Sequence, residues 1–155
     1  MLIVYIGDIL ELINTVPDID KFNVIMNEVM DGITLLKVAY EKELYKSVVK
    51  ISYETMLFIG EAIAAYKGIQ IRKRDCHLQT EILMRKVENE FGISSKDIDF
   101  YEMQRRIRNG LVHPENHYEE IKDNKSYEEV AFLAMQHTES MIRSVSLFIS
   151  QNIPR

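Results

Sequence analysis

The residues of this chain best suited to chemistry stand close together in its C-terminal half. Three arginines, an amide and an imidazole fall within nine residues: Arg105, Arg106, Arg108, Asn109 and His113. Pro114 follows directly, and a proline disfavours helical φ/ψ at the residue before it. We therefore expect His113 at a helix end, where its side chain can face a cleft.

This group of residue types suits cleavage of a phosphodiester bond without a metal. Histidine has an unperturbed pKa near neutrality, so it can take or give the proton of a ribose 2′-hydroxyl. A guanidinium can hold the phosphate and offset the charge that grows in the transition state. Such a reaction releases a 2′,3′-cyclic phosphate and requires RNA. The spacing alone also fits a structural role, in which Arg and His⁺ stabilise a helix C-terminus.

Helical spacing divides the group between two flanks of one predicted helix. With Ile107 taken as the inward direction, Arg106, Asn109 and His113 fall on one flank and Arg108 on the other. Asn109 and His113 are also an i, i+4 pair. The residues alone leave open whether Arg106 or Arg108 is the partner of the histidine.

Residues 108–113, Arg-Asn-Gly-Leu-Val-His, resemble the Arg-x(4–6)-His signature of the HEPN superfamily in its Arg-Asn-x-x-x-His form. The apolar segment 52–62 and the following Lys67-Gly68-Ile69 resemble the second bundle helix of that superfamily and the turn after it. The order of predicted helices fits over roughly residues 20–150, with residues 1–17 unassigned.

The resemblance implies a homodimer whose two motif helices meet at the interface and build a composite cleft. Many members are metal-independent endoribonucleases, often toxins of toxin–antitoxin pairs, and others bind nucleotides or accompany nucleotidyltransferases. Carried over by position, Arg108 would hold phosphate, Asn109 would position the substrate and His113 would act as acid or base. Arg106 is the reserve, because it also satisfies the spacing. The alternative function is a non-catalytic nucleotide-binding or partner-binding module.

Four further residues around the motif are candidate substrate-binding residues: Arg105, Arg106, His117 and Tyr118. In the branch paired with nucleotidyltransferase antitoxins, a modified tyrosine follows the histidine after one residue. Here Glu115 stands at that position, which argues against regulation by tyrosine modification. Tyr118 is the nearest tyrosine that could serve.

The apolar periodicity predicts an all-α protein, an up-and-down bundle of four or five helices with a short extra N-terminal helix. The predicted helices cover residues 2–14, 19–43, 44–67, 75–90, 95–112 and 126–151, with basic and polar loops at 69–75 and 113–125. The helix over 44–67 is apolar nearly all round, which predicts that the others surround it. We divide the chain into an apolar extension, 1–17, and a bundle domain, 18–155.

Composition limits the class of protein, the partners and the cellular compartment that we expect for this chain. The 155 residues are 46% hydrophobic and 28% charged, which is typical of one globular domain. A net charge of −5 argues against general coating of nucleic acid. The single cysteine, Cys76, fits a reducing cytoplasm. No stretch of the sequence predicts a membrane span. His77 and His137 lack partners at metal-ligand spacing, so we expect no bound metal, and no motif indicates a cofactor.

Overall fold

The computed structural model describes residues 12–112 and 127–152, and the side chains of all of these except 106–112. Five helices make up most of this part of the chain: α1 (Ile19–Glu41), α2 (Tyr45–Lys67), α3 (Cys76–Phe91), α4 (Ser95–Val112) and α5 (Tyr127–Asn152). They form an all-α helical bundle, which confirms the predicted fold class. The predicted boundaries agree with the observed ones to within about two residues.

Helix α2 is the centre of the bundle and contacts each of the other four helices. Twelve of its residues are buried, among them Val48, Met56, Ile59 and Ile63, as its apolar composition predicted. On α1 the apolar periodicity predicts an inward stripe of seven residues, of which Ile25 and Tyr40 are partly buried and the others are buried: Phe22, Met26, Val29, Ile33 and Leu36. A Cβ on Gly32 of α1 would overlap Thr55 of α2, so this glycine permits the close approach of the two helices.

Helices α2, α3 and α5 run in the same general direction. Their C-terminal halves meet where Tyr66, Phe91 and Phe148 pack ring against ring, with centroids 4.0–5.9 Å apart. Helices α1 and α4 run the opposite way. The connection between α2 and α3 therefore returns along the bundle, and it contains a short strand and a 3₁₀ turn (Lys73–Asp75) where the sequence predicted only a basic loop.

The predicted N-terminal helix over 2–14 is wrong at its end, and residues 1–11 lie outside the described chain. Ile13 and Asn14 form strand β1, which pairs antiparallel with β2 (Ile69–Gln70). Gly68 ends α2 with φ 70° and directs the chain back along this segment. A Cβ on Gly68 would lie 2.6 Å from the carbonyl oxygen of Thr15, so the pairing depends on a glycine at this turn.

In the last helix the apolar periodicity predicts an inward face of Val130, Ala134, Met141, Val145 and Phe148, and all five are buried. The predicted polar loop over 113–125 lies outside the described residues. None of the described helices has the length and apolar character needed to cross a bilayer.

Candidate functional site

Helix α4, which carries the arginine motif, is fixed to α2 and α5 by a buried chain of hydrogen bonds. Gln104 Nε2 donates to Ser52 Oγ at 2.7 Å, and Ser52 Oγ and Thr138 Oγ1 are 2.6 Å apart. Thr138 in turn donates to the carbonyl oxygen of Ala134 at 2.6 Å. Donors and acceptors match along this chain when Ser52 donates to Thr138. Buried polar groups bonded in this way set the rotation of α4 in the bundle.

One turn earlier, α4 is held by an aromatic stack. Tyr101 and Tyr53 lie nearly parallel with centroids 5.1 Å apart, and the Tyr53 hydroxyl shares a 2.5 Å hydrogen bond with His77 Nδ1. The Tyr101 hydroxyl donates to the carbonyl oxygen of His77 at 3.1 Å. Burial, followed by the neighbouring Tyr53, raises the pKa of Tyr101 far above its usual range. Tyr101 therefore stays a neutral hydrogen-bond donor at all physiological pH values.

The apolar spacing of this helix also places Phe100 and Met103 inward, and they are buried and partly buried, but the buried face extends further round the helix than the apolar residues predict. Asp97, Tyr101 and Gln104 are buried, and position 108 continues their line by helical register, one turn beyond Gln104. The buried face thus centres closer to position 108 than to Ile107. The apolar count missed this, because two members of the face, Asp97 and Gln104, are polar residues with partners on distant helices.

The described residues include only part of the predicted site. The backbones of Arg106, Arg108 and Asn109 belong to α4, which is described as far as Val112. Their side chains lie outside the description, as do His113, His117 and Tyr118 as whole residues. The predicted roles of these six residues remain predictions.

The last turns of α4 lie at the end of the bundle where α2 and α5 begin. Because α4 runs antiparallel to α2, position 108 is roughly one turn past Ser52, level with Val48. Leu44 precedes α2 and provides no side-chain cap for its first amides. Lys46 Nζ lies 5.3 Å from the centroid of the Tyr127 ring. The uncapped amides and Lys46 attract an anion at this end, whereas the carboxylates of Glu43 and Glu128, which lie near Tyr45, oppose one.

Arg105, the candidate substrate-binding residue whose side chain is described, lies on the α3 side of α4. Its side chain is half-buried. Burial, followed by the nearby Glu102, raises the pKa of Glu81, and Arg105 is close enough to reduce that rise. Arg85 joins the same cluster through a 2.9 Å contact with Asp99. Arg105 is thus part of an ionic cluster between α3 and α4, on a different flank from position 108.

A second polar cluster, which the sequence did not reveal, joins the start of α4 to α5. The buried carboxylate of Asp97 accepts from His137 Nδ1 at 2.7 Å and from Ser140 Oγ at 2.8 Å. The His137 ring also stacks on Phe100 with centroids 4.5 Å apart. The spacing of Ser94 and Asp97 predicts a capping box at the start of α4, but the carboxylate of Asp97 bonds to α5. Ser94 Oγ alone caps the helix, accepting from Lys96 N. This cluster could not be predicted from local sequence patterns, because Asp97 and His137 are 40 residues apart in sequence.

Replacing His137 with alanine is expected to lower the free energy of unfolding by about 2 kcal/mol, since a buried carboxylate loses its charge-assisted partner. The exposed neighbour Gln136 on α5 provides the control, and Gln136→Ala should change stability by less than about 0.5 kcal/mol. Urea denaturation of the three proteins measures both effects. Equal midpoints for His137→Ala and Gln136→Ala would show that the Asp97 contact contributes nothing to stability.

Within residues 12–112 and 127–152, no three His, Cys, Asp or Glu side chains are grouped so that they could hold a metal ion. Comparisons with family models, curated proteins and solved structures gave no match for this chain.

Proposed function

We propose that the protein is a metal-independent endoribonuclease of the HEPN type, with its active site at the C-terminal end of α4. Arg108 binds the scissile phosphate, Asn109 orients the substrate, and His113 transfers protons. The 2′-hydroxyl oxygen attacks the adjacent phosphorus as its proton passes to a base. The bond to the 5′ oxygen breaks, and that oxygen takes a proton, leaving a 2′,3′-cyclic phosphate and a 5′-hydroxyl.

The observation that carries this proposal is the register of α4. Asp97, Tyr101 and Gln104 are buried along one line of the helix, and position 108 follows on that line by helical register, towards the bundle end where α2 and α5 begin. Hydrogen bonds from Gln104 and Tyr101 fix this register. The uncapped amides of α2 and Lys46 lie at that end, and they support the binding of a phosphate group by an arginine at position 108. Position 106 lies on the other side of the helix, on the flank of Asn109 and His113, so the assignment of the phosphate to Arg108 rests on the resemblance of the motif.

Two further parts of the proposal come from the resemblance of the motif. The first is a homodimer in which the two copies of α4 meet, so that each subunit contributes an arginine and a histidine to one cleft. The second is a cytoplasmic setting with a nucleotidyltransferase antitoxin as partner. Analytical ultracentrifugation of the purified chain measures whether it forms the homodimer that the first part requires.

The direct test is a cleavage assay on a short, single-stranded RNA in the presence of excess EDTA. We expect cleavage at the same rate with and without the chelator, since the proposed chemistry uses only protein groups and the substrate hydroxyl. Loss of activity with the chelator, recovered on adding a divalent metal, would contradict the proposal. Absence of cleavage, together with a melting temperature that rises with nucleotide, would favour the non-catalytic nucleotide-binding alternative.

A further inference from the structure

The outer side of the α1–α2 pair forms a groove that is separate from the proposed ribonuclease site. The two helices run in opposite directions and approach closely where Gly32 meets Thr55. Helices α4 and α3 pack on another side of α2, where Ser52 bonds to α4 and Gly60 contacts α3. Six residues line what we call the α1–α2 groove: Val24, Glu28 and Leu35 on α1, and Ile51, Glu54 and Phe58 on α2.

Helical register places the α1 residues of this groove beside α2. At about 100° per residue, Glu28 and Leu35 lie roughly 40–60° round the helix from Gly32, the residue that faces α2. Lys37, which pairs with Glu139 of α5, lies on the other side of Gly32. Glu28 and Leu35 are therefore at the outer edge of the contact between α1 and α2, away from α5.

The α2 residues of the groove lie beside α1 in the same way. Ile51 and Phe58 are roughly 40–60° round α2 from Thr55, the residue that meets α1. Ser52, which bonds to both α4 and α5, lies in the other direction from Thr55. Ile51 and Phe58 therefore border the same outer space as the groove residues of α1.

Apolar side chains run along this groove and are open to solvent. Val24 and Leu35 are 63% and 57% exposed, and Phe58 is 38% exposed. Because the helices are antiparallel, Leu35 is about level with Ile51, which is only partly buried against the core. Single exposed apolar residues are common, but these four are aligned on two adjacent helices over about 16 Å. That length corresponds to about three turns of a helix.

The charged groups along the groove are mainly carboxylates. Four of them line or border it: Glu28, Asp31, Glu54 and Glu61. None of the four takes part in an ion pair among the described residues. The two lysines nearby stand at its ends, Lys21 beside Glu61 and Lys50 one turn before Glu54. The middle of the groove is therefore both apolar and negatively charged.

We propose that the α1–α2 groove binds a cationic amphipathic helix of a partner protein. Apolar side chains of that helix pack on Leu35, Ile51 and Phe58, and its lysines or arginines meet Glu28 and Glu54. A second copy of this chain that docked through the same face would bring like charges together. An anionic membrane or a nucleic acid would be repelled for the same reason. The negative charge thus selects a cationic partner.

A labelled model peptide tests the groove, with fluorescence anisotropy as the measurement. The probe is a peptide of about 14 leucines and lysines, ordered so that the leucines form one face of a helix. A second peptide has the same composition in an order that forms no apolar face. In about 0.15 M salt we expect the first peptide to bind with a micromolar Kd, and the second to bind at least about tenfold more weakly.

Two double variants remove the proposed contacts one kind at a time. Leu35→Ser/Phe58→Ser should weaken binding about tenfold or more, because the apolar contacts are lost. Glu28→Gln/Glu54→Gln should weaken it about three- to tenfold and make the Kd less dependent on salt. Leu147→Ser changes a leucine of α5 that is 59% exposed, and this matched control should bind as the wild type does. Circular dichroism melting confirms that each variant is folded.

Nuclear magnetic resonance of the ¹⁵N-labelled wild-type protein locates the peptide without any substitution, and we expect the shifted amides on α1 and α2. Four results would overturn the proposal: no binding at about 1 mM protein, equal binding of the two peptides, the same loss in Leu147→Ser as in Leu35→Ser/Phe58→Ser, or shifts confined to other helices. Tighter binding of anionic lipid vesicles than of the peptide would also overturn it. His113→Ala should bind the peptide normally, so the groove proposal and the ribonuclease proposal fail independently.

Discussion

His113→Ala is expected to lower the rate of RNA cleavage by about 10³-fold, because it removes the proposed proton-transfer group from the reaction. Arg108→Ala is expected to lower it by about 10²- to 10³-fold, through loss of charge stabilisation in the transition state. Arg108→Lys keeps the charge but lacks the planar fork, so its rate should fall between those of the wild type and Arg108→Ala. Single-turnover cleavage of a labelled RNA measures all three rates.

Two controls make this prediction specific to the motif. Arg106→Ala tests the reserve assignment on the opposite side of α4, and Lys86→Ala removes an exposed charge of α3 outside the motif. We expect the first to reduce the rate only a few-fold, since the motif resemblance assigns the phosphate to Arg108, and the second to leave it unchanged. If Arg106→Ala abolished cleavage and Arg108→Ala did not, the phosphate-binding role would belong to Arg106. Full activity in His113→Ala would refute the proposed chemistry.

Gly60→Ala is expected to lower the free energy of unfolding by about 2 kcal/mol, although alanine is the better helix former. A Cβ on Gly60 of α2 would overlap Thr80 Cγ2 of α3, and both residues are buried. Helix α3 would have to move away from α2, which would disturb packing on both sides. Urea denaturation measures the loss.

A second substitution separates this overlap from other effects of the added methyl group. Thr80→Ser removes Cγ2 and keeps the hydroxyl, so Gly60→Ala/Thr80→Ser should be more stable than the sum of the single changes predicts. We expect a coupling free energy of about 1–2 kcal/mol from this double-mutant cycle. Strict additivity would show that α3 adjusts without cost and that close contact at Gly60 is not needed.

The helices of the bundle could be predicted from the sequence because their apolar residues repeat with the helical period. Buried positions such as Phe22, Leu36 and Phe148 follow from that repeat alone. It was not sufficient for β1 and β2. A ladder of two residues on each strand has no periodic pattern, and it forms only because Gly68 directs the chain back past Thr15.

The candidate site shows a second limit of sequence patterns. Asp97 and Gln104 are polar residues of types that usually lie at the surface. They are buried here because they bond to His137 and Ser52 on other helices. A helical wheel that counts only apolar residues therefore placed the inward face too far from position 108. The motif residues themselves could be selected from the sequence, because their chemistry is local to one short segment. Their surroundings could not, since those arise from contacts between helices distant in the chain.

The most direct test of the proposed function is the identity of the 3′ end that the protein leaves on a cleaved RNA. Mass spectrometry of the products made in EDTA should find a 2′,3′-cyclic phosphate, and a substrate with a single 2′-deoxyribose on the 5′ side of the cut should resist cleavage there. A 3′-hydroxyl end, or cleavage of the deoxy-substituted substrate at the same bond, would contradict attack by the 2′-hydroxyl and with it the role assigned to Arg108 and His113.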